Sequence, residues 1–130
     1  MDSSAYIGFV EGHPDTLACS ASLRFRRFPR FVTSPVIAET HHRLLFDYGY
    51  EAADRFLAAV FGGEATIVRP TEVDELEAAR LIRKYADLKL TFCDAISMTV
   101  MLRLGILRVF TYDRKHFCAV GFIAIPPLDL

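Results

Sequence analysis

The sequence is poor in the features that mark many specialised protein classes. Its 130 residues contain no tryptophan and only three cysteines, Cys19, Cys93 and Cys118, at unrelated spacings. This cysteine usage disfavours a disulfide scaffold and indicates free thiols in a reducing, cytoplasmic compartment. No apolar run reaches the roughly 18 residues of a membrane span, and the residues after Met1 do not resemble a signal peptide. We therefore expect a cytoplasmic protein without a membrane segment.

The sequence also lacks a strong net charge. Its 15 lysine and arginine residues nearly balance 16 aspartates and glutamates, which gives a net charge of −1 at pH 7. Binding to nucleic acid would therefore need a local basic patch. Hydrophobic residues make up 52% of the chain, which is enough to bury a core and excludes a disordered protein. A chain of this length fits one domain, residues 1–130.

What the sequence does contain is an alternation of short strands and helices. Runs of β-branched and aromatic residues predict strands at residues 31–33, 66–68, 107–112 and 122–125. Apolar periodicity and capping residues predict helices at residues 6–10, 13–28, 34–49, 50–61, 71–86 and 91–104. This alternation is typical of an α/β domain built around a mostly parallel sheet.

The stretch from Thr91 to Phe117 is the most informative part of the sequence. Thr91 is suited to cap a helix that is apolar on nearly every side, so we expect that helix to be buried. Gly105 stands where a helix commonly ends, and the strand after it is followed at once by Asp113. Because ligands bind beyond the carboxyl ends of parallel strands, Asp113 is a candidate functional residue.

Four acidic residues share a position relative to the predicted sheet. Asp2 begins the chain, Glu39 and Asp94 lie early in helices, and Asp113 follows a strand. The carboxyl ends of parallel strands and the N-termini of the helices meet at one sheet edge, so we expect these acids to converge. Two charges about 5 Å apart repel by roughly 3 kcal/mol at an effective dielectric of about 20, so convergence predicts a bound cation. Carboxylates with water suit Mg²⁺ or Mn²⁺, which can activate water for phosphoryl displacement.

At these residues the sequence resembles the PIN-domain nucleases, and among them the VapC-type toxins of bacterial toxin–antitoxin pairs. The matching pieces are DSSAYI at Asp2, SPVIAE ending at Glu39, RKYADLKLTFCDAISMTVMLRLGI around Asp94, and RVFTYDRKHF at Asp113. The resemblance implies a PIN-like three-layer fold with a mostly parallel sheet flanked by helices. It also implies a Mg²⁺- or Mn²⁺-dependent endoribonuclease whose catalytic, metal-binding residues are these four carboxylates. RNA products with 5′-phosphate and 3′-hydroxyl ends, a cognate antitoxin and a homodimer are further implications.

Other polar residues are candidates for supporting roles. Ser4 and Thr111 match hydroxyls that accompany the first and last acids in the family. Basic residues in two groups form a candidate surface for RNA phosphates. These residues are Arg24, Arg26, Arg27, Arg30, Arg114 and Lys115. Each candidate also has an ordinary interpretation, since hydroxyls often bond to backbone groups and arginines often form a solvated helix face.

The single acids are equally open to ordinary interpretations. Asp94 lies in a Thr-x-x-Asp capping pattern, and Asp113 after a strand is common turn chemistry. A haloacid-dehalogenase-type phosphatase would usually need Asp-x-Asp, and Asp2-Ser3-Ser4 lacks the second acid. A receiver domain would need a lysine at the end of a late strand, and Lys115 lies past that point. The joint pattern of four acids therefore favours the nuclease.

The sequence departs from the family at its beginning. PIN domains have a hydrophobic strand before the first acid, near the middle of the sheet, whereas only Met1 precedes Asp2 here. We hypothesise a shortened N-terminus that leaves the neighbouring strands without central pairing and Asp2 poorly held. A PIN-like module that binds RNA or protein without cutting, because its site is truncated, is therefore the alternative.

Overall fold

The structure is a computed structural model that describes residues 30–111 and 113–125. Within these ranges, short strands alternate with helices. The strands are β1 (Phe31–Thr33), β2 (Thr66–Val68), β3 (Arg108–Phe110) and β4 (Ile123–Ile125). The helices are α1 (Ser34–Tyr48), α2 (Tyr50–Ala59), α3 (Glu72–Lys84), α4 (Phe92–Leu104) and α5 (Arg114–Val120). A π-helical turn, Val60–Glu64, follows α2, and a 3₁₀ turn, Ala86–Leu88, follows α3.

The predicted alternation of strands and helices is confirmed, with three differences. The third strand is shorter than predicted. The sequence also offers Ser34, directly before Pro35, as a helix N-cap, but the N-cap of α1 is Thr33. Helix α5 was not predicted, because its seven residues contribute little more than Phe117 and Val120 to the core and so show no clear period. The predicted helices at 6–10 and 13–28 lie outside the described residues. None of the helices in the described ranges is long and apolar enough to cross a membrane.

The described strands form two parallel pairs. Strand β1 pairs with β2, with Val32 opposite Ile67, and β3 pairs with β4, with Val109 opposite Ala124. Among the described residues, no strand joins β1 to β3. The central strand that PIN domains have before the first acid is therefore not among these residues. A cavity of about 40 Å³ lies between the two pairs, lined by side chains of β1, α4, β3 and α5.

Helix α4 lies at the centre of the packing. It contacts α1, α3 and β1, and seven of its thirteen residues are buried. This confirms the prediction of a buried helix. Its end is a Schellman motif, in which the Gly105 N–H bonds to the Leu102 carbonyl and the Ile106 N–H bonds to the Met101 carbonyl. The helix and the turn after it thus lead the chain directly into β3.

Replacing Gly105 by alanine should lower the free energy of unfolding by about 1 kcal/mol. Gly105 has a φ of +71°, and a Cβ built there meets nothing within 4 Å, so the whole effect comes from the backbone conformation. Urea denaturation would measure it. Gly62→Ala is the matched control, since Gly62 is equally open but does not have a positive φ in the left-handed region. Equal losses in the two variants would contradict this explanation.

An ion pair between a buried carboxylate and an exposed guanidinium fixes α3 against α4. The Arg103 guanidinium donates two hydrogen bonds to the Asp74 carboxylate, at 3.0 and 2.9 Å. Asp74 also completes a capping box with Thr71, in which each residue's backbone N–H bonds to the other's side chain. Only 3% of the Asp74 side chain is exposed, against 44% for Arg103. The hydrogen bonds from Arg103 and from the Thr71 N–H are therefore needed to compensate the cost of burying the Asp74 charge.

Candidate active site

Asp94 is placed by the start of α4. The Thr91 hydroxyl accepts a hydrogen bond from the Asp94 N–H at 3.1 Å, which fixes the first turn of the helix. Asp94 itself is only 9% exposed. Its carboxylate is thus held at the N-terminal end of the most buried helix, as the sequence predicted.

Asp113 is placed by the end of β3. Thr111 follows the strand and is fully buried, and its hydroxyl accepts a hydrogen bond from the Asp113 N–H at 2.9 Å. The Asp113 side chain is partly open to solvent. Thr111 was a candidate supporting hydroxyl, and its bond to a backbone N–H is the ordinary interpretation given above for such a residue.

His116 joins these two acids and was not among the sequence-based candidates. Its Nδ1 lies 2.7 Å from the Asp113 Oδ2, three residues away on the first turn of α5. Asp94, Asp113 and His116 each offer one ligand atom, and these atoms all lie within 4.8 Å of one another. We name this group the Asp94–Asp113–His116 cluster. The sequence signal that points to His116 is its spacing from Asp113, which becomes visible only when α5 is recognised as a helix.

The donors of this cluster suit a divalent cation. Two carboxylates at such a separation repel each other by about 3 kcal/mol at an effective dielectric of about 20, and a cation would remove that cost. Carboxylate oxygens are the usual ligands of Mg²⁺ and Mn²⁺. The two carboxylates present therefore fit a Mg²⁺ or Mn²⁺ ion.

The structure brings together two of the four predicted carboxylates. Glu39 is partly buried on the second turn of α1 and does not belong to the cluster. Helix α1 contacts both β1 and α4, so Glu39 is carried by an element packed against the helix of Asp94. Asp2 and Ser4 lie outside the described residues.

A pair of hydroxyls links β1 to the same helix. The Thr33 Oγ1 and the Ser97 Oγ lie 3.2 Å apart, and both residues are buried. Ser97 is one helical turn after Asp94. This bond fixes the end of β1 against α4 close to the cluster, and nothing in the local sequence of either residue indicated it.

The predicted RNA-phosphate residues have different surroundings. Arg30 forms an ion pair with Glu64 at 3.6 Å, and only 12% of its side chain is exposed. Its charge is therefore engaged within the fold. Lys115 is exposed on α5, and Arg114 begins that helix directly after Asp113. Arg24, Arg26 and Arg27 lie outside the described residues.

Comparisons with known proteins agree on the fold and the family. The family model described as PIN domain matches residues 1–123. The chain is 26% identical over 121 residues to Ribonuclease VapC26 of Mycobacterium tuberculosis, covering 92% of this chain and 90% of that protein. The crystal structure of Mycobacterium tuberculosis VapC20, a Sarcin-Ricin loop cleaving toxin, superposes with a TM-score of 0.81 at 22% identity, covering 94% of each chain. The predicted α/β, PIN-like fold is confirmed by these matches.

Proposed function

Because the chain belongs to the PIN-domain family, we propose that it is a VapC-type endoribonuclease that uses Mg²⁺ or Mn²⁺ to hydrolyse RNA phosphodiester bonds. The Asp94–Asp113–His116 cluster is the observation that carries this proposal, since it joins two predicted ligands at one point of the fold. The likeness to Ribonuclease VapC26 supports RNA as the substrate class.

The residues of the cluster have separate tasks in this mechanism. When bound, a divalent cation would activate a water and stabilise charge on the phosphate. Asp94 and Asp113 would hold the cation through their carboxylates, and the hydroxyls of Thr91 and Thr111 fix the backbone of these two acids. We assign Glu39 and Asp2 to the same cation or to its water ligands.

RNA would be held beside the cluster by basic side chains. Lys115 is exposed two residues after Asp113, where it can contact a phosphate next to the cut. We assign the same task to Arg114 and to Arg24, Arg26 and Arg27. Arg30 would contribute only if its ion pair with Glu64 opened, since its side chain is largely buried there.

Two protein partners belong to the proposal. We propose a cognate antitoxin that covers the cluster and a homodimer of this chain. Large apolar side chains are exposed on α1, on α2 and just after α2, as partner-binding surfaces require. They include Phe46 at 73%, Tyr50 at 73% and Phe61 at 62% exposure.

A second candidate function is a PIN-like module that binds RNA or protein without cutting. Its supporting observation is that, among the described residues, the cluster contains two of the predicted carboxylates, Asp94 and Asp113. Binding of RNA without any product in the presence of Mn²⁺ would distinguish this module from the nuclease.

Removal of divalent metal should abolish RNA cleavage. With the purified chain and a mixed RNA pool, we expect cutting in Mn²⁺ that falls to the background rate in EDTA and returns with excess Mn²⁺. Gel analysis would follow cutting, and ligation of adaptors would identify 5′-phosphate ends on the products. Cleavage that continues in EDTA would contradict the metal mechanism. RNA that the folded protein leaves intact in Mn²⁺ and also in Mg²⁺ would favour the non-catalytic module.

A further inference from the structure

We propose that a groove between α1 and the end of α2 binds single-stranded RNA, with a nucleobase against Phe61 and the adjoining phosphate at Arg69. This inference rests on the proposed function and concerns a substrate contact separate from the Asp94–Asp113–His116 cluster. The groove has a volume of about 490 Å³. A pocket of this size can hold a small molecule or one part of a larger ligand.

The groove lies at the carboxyl ends of two strands. Ser34 follows β1, Arg69 follows β2, and both residues line the groove. Because β1 and β2 are parallel, these ends meet at one edge of the sheet, where ligands of such folds usually bind. Ser34 is preceded by Thr33, whose hydroxyl bonds to Ser97, one helical turn after Asp94 on α4. An RNA strand that passes the cluster can therefore continue along this edge into the groove.

The walls of the groove suit the flat face of a base. Apolar side chains from both helices and from the turn after α2 form them: Ile37, Ala38, Leu45, Leu57 and Phe61. Phe61 is 62% exposed, so much of its ring is open to a ligand. The exposed His42 also lines the groove, and its ring lies against Phe46 with 4.8 Å between the centroids. Exposed aromatic rings are the surfaces on which proteins stack unpaired bases.

The charge of the groove matches a phosphate. Arg69, which is exposed, brings a guanidinium that can donate two hydrogen bonds to one phosphate. Among the described residues that line the groove, none is acidic, so no carboxylate there competes for the guanidinium or repels the RNA backbone. His41 and His42 add ring nitrogens that can bond to the edges of a base.

The apolar walls alone would suit a protein side chain as well as a base. Two observations favour RNA: the exposed rings are accompanied by an arginine, and the groove begins directly after the strand that is bonded to the helix of Asp94. A protein partner that covered Phe61 would close the groove, so such a partner and RNA would compete for it.

The experiment is fluorescence anisotropy with the full chain and a labelled single-stranded RNA of about 12 nucleotides, in EDTA so that the RNA stays intact. We expect Phe61→Leu to weaken binding about tenfold, because leucine keeps an apolar side chain but cannot stack on a base. Arg69→Gln should weaken binding about threefold. It should also reduce the slope of log affinity against log salt by about 0.7, the value for one phosphate contact in a single strand.

Tyr50→Leu and Arg83→Gln are the matched controls. They change an exposed ring on α2 and an exposed arginine on α3, neither of which lines the groove, so both should bind RNA as the wild type does. RNA that carries 5-bromouridine should form an ultraviolet crosslink in the peptide that contains Phe61. Crosslinks confined to other parts of the chain, or an unchanged affinity and salt slope in both groove variants, would overturn the RNA site.

Failure of the groove and failure of the nuclease give different results. If the groove variants lose RNA binding but the wild type cuts no RNA in Mn²⁺, the nuclease is overturned and the groove is supported. If the wild type cuts RNA and the groove variants bind and cut equally well, the groove is overturned and the nuclease is supported. If Phe61→Leu leaves RNA binding unchanged but converts a dimer into monomers in light scattering, the groove is an interface between copies and the proposal is overturned.

Discussion

Replacing Asp94 by asparagine should reduce metal-dependent RNA cleavage about a thousandfold while leaving the fold intact. Cation catalysis supplies several kcal/mol of transition-state stabilisation, and each 1.4 kcal/mol is about tenfold in rate. An amide has nearly the shape of the carboxylate, and its backbone N–H still donates to Thr91, so the start of α4 is preserved. Single-turnover cleavage of a defined RNA in Mn²⁺ would measure the loss.

The matched control for this variant is Asp54→Asn. Asp54 is exposed on α2 and lies outside the Asp94–Asp113–His116 cluster, so the same change of charge there should leave the rate unaltered. Thermal unfolding should give similar midpoints for the two variants. A cleavage rate for Asp94→Asn within threefold of the wild type would show that Asp94 is not part of the catalytic site.

Replacing Arg103 by methionine should lower the free energy of unfolding by about 3 kcal/mol. The change removes both hydrogen bonds to a carboxylate that is 97% buried and leaves its charge without a cation. Methionine keeps the apolar stem of the side chain, so the effect reports lost pairing more than lost packing. Urea denaturation with a constant m-value would measure the difference.

Two further variants identify the cause of this destabilisation. Arg80→Met breaks an exposed pair with Glu77, at 2.8 Å, and should cost about 0.5 kcal/mol or less. Adding Asp74→Asn to Arg103→Met removes the buried charge and should restore much of the loss. If Arg80→Met and Arg103→Met lowered the free energy of unfolding equally, burial of Asp74 would not explain the loss in Arg103→Met.

Low pH should lower the free energy of unfolding by protonating Asp74, which is paired with Arg103. The Arg103 guanidinium, with smaller help from Thr71, holds the pKa of Asp74 below its usual 3.8 in spite of burial. A depressed folded-state pKa contributes stability that is complete above the unfolded value and disappears as pH falls through the folded value. The acid limb of the stability curve should therefore be shallower in Asp74→Asn, measured by thermal unfolding between neutral pH and acid.

The two Thr-x-x-Asp segments show where sequence reasoning succeeds and where it stops. Both threonines cap a helix and both accept a bond from the aspartate N–H three residues later, which local sequence predicts. The fates of the carboxylates differ. Asp74 is neutralised by Arg103, whereas Asp94 meets Asp113 and His116. Only partners distant in the chain separate a structural acid, Asp74, from a candidate functional one, Asp94.

Other parts of the site follow the same division. The position of Asp113 at a strand end was predictable, because parallel strands bring their carboxyl ends to one edge. His116 was not, because a seven-residue helix leaves too weak a period to place a side chain on one face. The Thr33–Ser97 bond was also beyond local reasoning, since its residues are 64 positions apart.

The pairing of the strands has a consequence for how the chain assembles. Strands β3 and β4 are joined through α5 by a short stretch, whereas the chain between β1 and β2 includes two helices. Closing a longer loop costs more conformational entropy, so the β3–α5–β4 unit is the less costly of the two to form. Asp113 and His116 both belong to this local unit, while Asp94 arrives with α4. The distances between Asp94 and the other two side chains therefore depend on how α4 packs against the β3–α5–β4 unit. Incomplete packing of α4 would separate Asp94 from Asp113 and His116.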